Sequence, residues 1–353
     1  MLAAALLSMA CGAWLGLVRI GWNLPLPWQD QLGAHGPLMV CGFLGTLISL
    51  ERAVALGARW GYAAPVLVGL GAISLDLGPL VSFPSASPAL VTAGSVVVVA
   101  IFAVVSWRQP SLYLLTMGLG AVAWVVGNAQ WLGGASIYRV VFWWLAFLVL
   151  TIAGERLELN RVLRPTAATQ AAFALAAILI LAGVAIEVRW PEAGVRVLGV
   201  GLITLTAWLA LHDVARRTVR QHGVTRFMAV CLLGGYAWLG IGGAIALVFA
   251  PTLPGTLYDA VLHTVFLGFV MSMVFAHAPV IFPAIIGVPL PFRRTFYLHA
   301  GLLHVSVFLR SVGDLSDELG QWRARGAMLS AIALLLFLFN TALSITRQSG
   351  GAR

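Results

Sequence analysis

The sequence predicts an all-α, polytopic membrane protein, and three observations carry that prediction. Hydrophobic residues make up 61% of the chain and charged residues only 9%, a balance outside that of water-soluble domains. Mean hydropathy is +0.97. Apolar runs of about 20 residues, the length that crosses a bilayer as a helix, recur about twelve times with short connectors between them. No linker or charge run marks off a second domain, so residues 1–353 read as a single transmembrane helical domain.

The spans follow in order. Leu2–Val18 begins directly after Met1 without a basic n-region, and Ser8 to Cys11 makes a poor cleavage or lipidation site, so a retained helix is expected. Leu32–Leu50 takes in His35 at its start and leads into Glu51-Arg52, with Gly36, Gly42, Gly45 and Thr46 between them. Tyr62–Leu80 and Pro88–Trp107 are rich in small residues. Leu112–Trp131, Tyr138–Ala153, Ala167–Ile186, Val195–His212 and Phe227–Ala250 come next. Leu257–Ala278 carries His263 and His277, Thr295–Val312 carries His299 and His304, and Gly326–Ile345 is the last span.

The net charge of +9 rests on 21 basic residues, all of them arginine. In a membrane chain that surplus reads as topology and not as nucleic-acid binding. Connectors after even-numbered spans, with the C-terminal tail, hold Arg52, Arg59, Arg108, Arg156, Arg161, Arg164, Arg216, Arg217, Arg220, Arg226, Arg293, Arg294, Arg347 and Arg353. The other connectors hold Arg19, Arg139, Arg189, Arg196, Arg310, Arg323 and Arg325. The positive-inside rule then expects both termini in the cytoplasm of a bacterial-type inner membrane, with Trp22, Trp28, Trp131, Tyr138, Trp190 and Tyr258 as an outer aromatic belt. Cys11, Cys41 and Cys231 are scattered in apolar spans and read as packing thiols.

A faint repeat runs through the chain. Phe43-Leu44, Phe147-Leu148 and Phe266-Leu267 sit four spans apart, Glu51-Arg52 recurs as Glu155-Arg156, and Phe43-Leu44-Gly45 through Ser49 recurs as Phe266-Leu267-Gly268 through Ser272. Three four-helix arcs would produce that spacing.

Histidines are the candidate functional residues, because an imidazole inside a bilayer is costly unless something holds it. His35 and His263 lie in the first turns of two spans that run in the same direction, hence at one depth. Two neutral imidazoles so placed on neighbouring helices form the axial arrangement of a six-coordinate haem. The structural alternative is a pair of polar residues at helix ends, bonded to carbonyls or interfacial water. Met39 lies one turn below His35 on the same face and is a soft ligand or, the more common role, a packing contact. His277 follows His263 by 14 residues, about 21 Å along the same face of a helix, which makes it a candidate for a second, inner metal or haem site with His299 or His304. Pro279, Pro283, Pro289 and Pro291 are expected to break the helix nearby. His212 and His222 fall in an arginine-rich connector and read as solvated. Every carboxylate assigned to a span lies near its end, so proton pumping is not expected.

The histidine and helix layout resembles the twelve-helix subunit I of haem–copper oxidases, and more closely the NnrS family of membrane proteins. The residues that carry the likeness are His35 with Met39 and Gly42 on the second span, and His263 with Gly268 and Met271-Ser272-Met273 on the tenth. The resemblance implies haem held by His35 and His263, copper as a further metal, and a role in nitric oxide metabolism or nitrosative stress. Spans six and seven carry no histidine for a copper centre, and Ala276-His277-Ala278-Pro279 stands where the NnrS pattern has Gly-His-Thr-Gly-Arg. The functional expectation is a haem-binding redox or gas-responsive protein in the lipid bilayer, with a small gas or quinol as partner. Arg52 and Arg139 are candidates to meet haem propionates. The competing expectation is a cofactor-free transporter or channel, for which the small-residue spans, Pro84, Pro88, Asn128 and Gln130 would suit a pathway. A structural partner in a respiratory complex is a third.

Overall fold

The computed structural model describes residues 1–26, 29–77 and 85–350, so Trp28, Leu80, Pro84 and Arg353 lie outside the described residues, as does the side chain of Arg347. Among the described residues the chain is helical, with no strand. Its longer helices are α1 (Leu2–Arg19), α2 (Gln31–Leu56), α3 (Ala63–Asp76), α4 (Ala86–Arg108), α5 (Leu112–Leu132) and α6 (Ile137–Leu159). They continue as α7 (Ala167–Glu187), α8 (Pro191–His212), α9 (Gly223–Phe249), α10 (Thr256–Ala284), α11 (Phe296–Leu315) and α12 (Gly320–Gly350). Ten of these, all but α3 and α11, are long and apolar enough to cross a membrane. Over its described residues α3 is 14 residues long, while α11 is made more polar by His299, His304, Arg310 and Asp314.

Backbone contacts divide the chain into two compact units, Met1–Glu155 and Arg156–Arg353, with the boundary inside α6. In the first unit, Ser8, Gly12 and Gly16 recur every fourth residue along α1 and present one small-residue stripe to α2. A Cβ at Gly42 would lie 2.8 Å from Ser8, and one at Gly12 or Gly16 would lie 2.9 Å from Met39 Sδ or 2.8 Å from His35 Cε1. The stripe therefore sets how closely α1 and α2 approach. At the other end of α2, Arg52 donates to Glu51 at 2.6 Å and to Glu155 at 2.8 Å. Glu155 of the second Glu-Arg pair thus joins Glu51 and Arg52 in one ion-paired cluster, and Arg52, a candidate for a propionate, is already engaged by two carboxylates.

The second unit closes over close glycine contacts. On α7 a Cβ at Gly183 would collide with the backbone of Leu198 on α8, and on α8 one at Gly199 would lie 2.6 Å from the Leu247 nitrogen of α9. Arg156 and Asp213 form a two-pronged ion pair, Nε to Oδ2 at 2.8 Å and Nη2 to Oδ1 at 2.7 Å, with both side chains out of contact with solvent. Asn160 Oδ1 accepts from the Val214 N–H at 2.9 Å, tying the same two connectors.

Two expectations differ from the structure. Tyr258 is 2% exposed and does not belong to an outward aromatic belt, whereas Trp22, Tyr138 and Trp190 are exposed. The helix does not break at Pro279 or Pro283, both of which lie inside it, and it ends before Pro289 and Pro291; prolines are tolerated in membrane helices whose neighbours satisfy the freed backbone groups. Asp314, near the C-terminal end of α11, is buried beside Arg310 and Arg323. The cysteines are free, with Cys41 and Cys231 buried and Cys11 partly so. His212 and His222 are exposed.

Candidate functional site

The two helices that open with candidate histidines share an uncommon backbone. In α2 the residues Leu38–Gly45 form a π-helical segment beginning three residues after His35, and in α10 the residues Thr264–Met271 form another directly after His263. Widened turns of this kind are rare and concentrate at functional positions. Each contains the glycine of a Phe-Leu-Gly repeat, and each glycine receives a tryptophan ring. A Cβ at Gly45 would lie 2.6 Å from Trp124 of α5, and one at Gly268 would lie 2.5 Å from Trp238 of α9.

In the first unit, His35 is half-buried against α1, where its Nδ1 lies 2.7 Å from the carbonyl oxygen of Gly12. A carbonyl only accepts, so Nδ1 carries the proton and Nε2 carries the lone pair. Gly12 serves twice, offering the carbonyl and leaving room for Met39, and Gly16 makes room for the ring. Met39 packs on this stripe, as its position one turn below His35 suggested.

In the second unit the same tautomer is set from within one helix. His263 Nδ1 lies 2.7 Å from the Asp259 carbonyl, and His277 Nδ1 lies 2.7 Å from the Met273 carbonyl. The Asp259 carboxylate lies 3.9 Å from Arg310 and 3.8 Å from Arg323, and Asp314 lies 3.2 Å from Arg323 Nε. Two aspartates and two arginines from α10, α11 and the start of α12 therefore flank the turn whose carbonyl orients His263.

His299 and His304 take the opposite tautomer. Asn340 Nδ2 donates to the Thr295 carbonyl and to His299 Nδ1, both at 3.2 Å, and Trp238 Nε1 donates to His304 Nδ1 at 3.0 Å. An imidazole that accepts at Nδ1 holds its proton on Nε2, the nitrogen a metal would need. His299 is 1% exposed and ringed by Phe227, Phe275, Phe296 and Phe337 at centroid distances from 4.8 to 6.0 Å. Its surroundings are those of a core residue. Arg139 is exposed.

Within the first unit the sequence reading missed a buried polar chain. Trp124 Nε1 donates to Cys41 Sγ at 3.5 Å, the Cys41 thiol donates to Asn128 Oδ1 at 3.7 Å, and Trp144 Nε1 donates to the same oxygen at 2.9 Å. Asn128 is fully buried, and its Nδ2 has no hydrogen-bond partner among the described residues. An asparagine inside an apolar span was the available signal. Among the described residues no group of three or more His, Cys, Asp or Glu side chains is gathered as a metal site would require.

Taken with its apolar spans, this architecture defines an all-α polytopic membrane protein. The chain matches the family described as Domain of unknown function (DUF8744) over residues 1–346, and it belongs to that family. Among curated proteins none matches it.

Proposed function

We propose that the protein is a haem-binding integral membrane redox protein, related in function to the NnrS proteins, with His35 and His263 as residues that would hold haem. The observation that carries the reading is the hydrogen bonding of three imidazoles. His35, His263 and His277 each donate Nδ1–H to a backbone carbonyl at 2.7 Å, which fixes the ring and leaves the lone pair on Nε2. This is the outer contact that metal-ligating histidines characteristically make, and it raises the basicity of the coordinating nitrogen. The π-helical segment next to each of His35 and His263 supports the same reading.

Bound haem would supply one-electron chemistry. The chain's own residues orient the imidazoles: Gly12 through its carbonyl in the first unit, Asp259 through its carbonyl in the second. Met39 and His35 both pack against the small-residue stripe of α1. His277 is a candidate ligand of the same kind. Copper has less support, since His299 and His304 carry their protons on Nε2. The partners this reading implies are the lipid bilayer and a gas or quinol, in a role in nitrosative stress or electron relay. The arginine distribution supports both termini lying on the cytoplasmic side of a bacterial inner membrane.

The test is a visible absorption spectrum with metal analysis on protein purified from haem-replete cells. A Soret band is expected, with reduced intensity or altered coordination in both His35→Ala and His263→Ala. A colourless protein without iron overturns the reading.

A further inference from the structure

The two ends of the second unit differ in charge. One end is formed by the connectors α6–α7, α8–α9 and α10–α11. Among described side chains it holds nine arginines against two carboxylates, Glu158 and Asp213. The opposite end holds five arginines against five carboxylates. There the charges pair off: Glu192 lies 3.8 Å from Arg196, and Asp259 and Asp314 share Arg310 and Arg323.

At the basic end Asp213 does nothing for the surface, because it is buried and fully engaged by Arg156. Arg216, Arg217, Arg220, Arg226 and Arg294 are exposed and Arg293 is half-buried. They are held together by packing beneath them. Phe227, at the start of α9, meets Phe292, Phe296 and Tyr297 of the α10–α11 connector and α11 at centroid distances from 5.3 to 5.8 Å. Ser344 Oγ of α12 donates to the Pro291 carbonyl, closing the same connector. Two arginine-bearing connectors are thus fastened to one aromatic base where the helices end.

We infer that this end of the second unit is a binding site for the phosphate headgroups of anionic phospholipids. Guanidinium groups pair with phosphate oxygens through parallel N–H donors. A cluster of four to eight basic residues beside membrane-crossing helices attracts anionic lipid electrostatically. The site lies where the helices leave the bilayer, at headgroup level, so the partner is a lipid of the surrounding membrane. This inference goes beyond the haem reading and does not depend on it.

The test uses the full chain reconstituted in phosphatidylcholine vesicles containing spin-labelled phosphatidylglycerol or spin-labelled phosphatidylcholine as probe. The motionally restricted fraction is expected to favour phosphatidylglycerol by about fivefold or more at low salt. The preference is expected to fall below about twofold in Arg216→Gln/Arg217→Gln/Arg220→Gln and in the unaltered protein at high salt, where surface charges are screened. Arg189→Gln/Arg196→Gln, at the balanced end, should leave it unchanged. Equal retention of the two lipids by the unaltered protein overturns the site. So does a preference that the triple variant and high salt both leave intact. Loss of the preference on adding millimolar inorganic phosphate at constant ionic strength would reassign the site to free phosphate. High salt acts on the unaltered chain, so the test stands even where the triple variant fails to fold.

Discussion

The Nδ1 of His35 lies 2.7 Å from the carbonyl oxygen of Gly12, across the contact between α2 and α1. That bond makes a residue with no side chain the orienting partner of an imidazole. It is possible only because Ser8, Gly12 and Gly16 bring the two helices close together.

The first prediction concerns this contact. A Cβ at Gly16 would lie 2.8 Å from His35 Cε1 and 2.9 Å from Nδ1, so Gly16→Ala must turn the ring or part the helices. Haem content, read as Soret absorbance relative to protein, is expected to fall severalfold while helicity by circular dichroism is kept. Unchanged haem content would show that the ring's orientation there does not matter to binding.

A second prediction separates ligand from core. His299→Ala removes a buried ring from among four phenylalanines and strips Asn340 of an acceptor, at a cost of about 3 kcal/mol. A lower thermal midpoint with the visible spectrum per folded protein unaltered is expected, the converse of His263→Ala. A spectral change in His299→Ala without loss of stability would reverse the assignment.

The third concerns the buried pair of Arg156 and Asp213. Asp213→Asn leaves a guanidinium buried against a neutral amide, which costs about 3–5 kcal/mol. Replacing both partners with apolar residues of similar volume removes the uncompensated charge and is expected to recover much of that loss. Denaturant midpoints in detergent micelles measure both, and a double variant worse than Asp213→Asn would contradict the expectation.

The fourth is a contrast between two helix glycines. Gly183→Ala drives a methyl group into the backbone of Leu198, whereas Gly301 has open space around its missing Cβ. Gly183→Ala is expected to cost about 1–3 kcal/mol through overpacking. Gly301→Ala should be neutral or stabilising by up to about 1 kcal/mol, since alanine is the better helix former. Thermal unfolding of the two variants side by side decides it.

Much of the fold was readable from hydropathy. Long apolar runs leave the backbone no partners but its own, so helices were the required outcome. The Phe-Leu-Gly repeat had a structural meaning too, because Gly45 and Gly268 each seat a tryptophan ring on a π-helical segment. The stripe of Ser8, Gly12 and Gly16 lay in plain view at a spacing of four and was passed over. Tyr258 and the prolines of α10 were misjudged because a residue's burial and a helix's persistence depend on neighbours that are distant in sequence.

By itself the sequence determined that the chain is a bundle of membrane-spanning helices, and which few imidazoles have to be explained within it. Only the tertiary structure decided which nitrogen of each imidazole holds the proton. The reason is physical: the tautomer follows the group facing Nδ1. For His35 that is a carbonyl of another helix, for His263 and His277 one from the preceding turn, and for His299 and His304 an N–H of another helix. Helical spacing offers His263 and His277 a carbonyl four residues back, but it does not encode the partners that other helices bring to His35, His299 and His304.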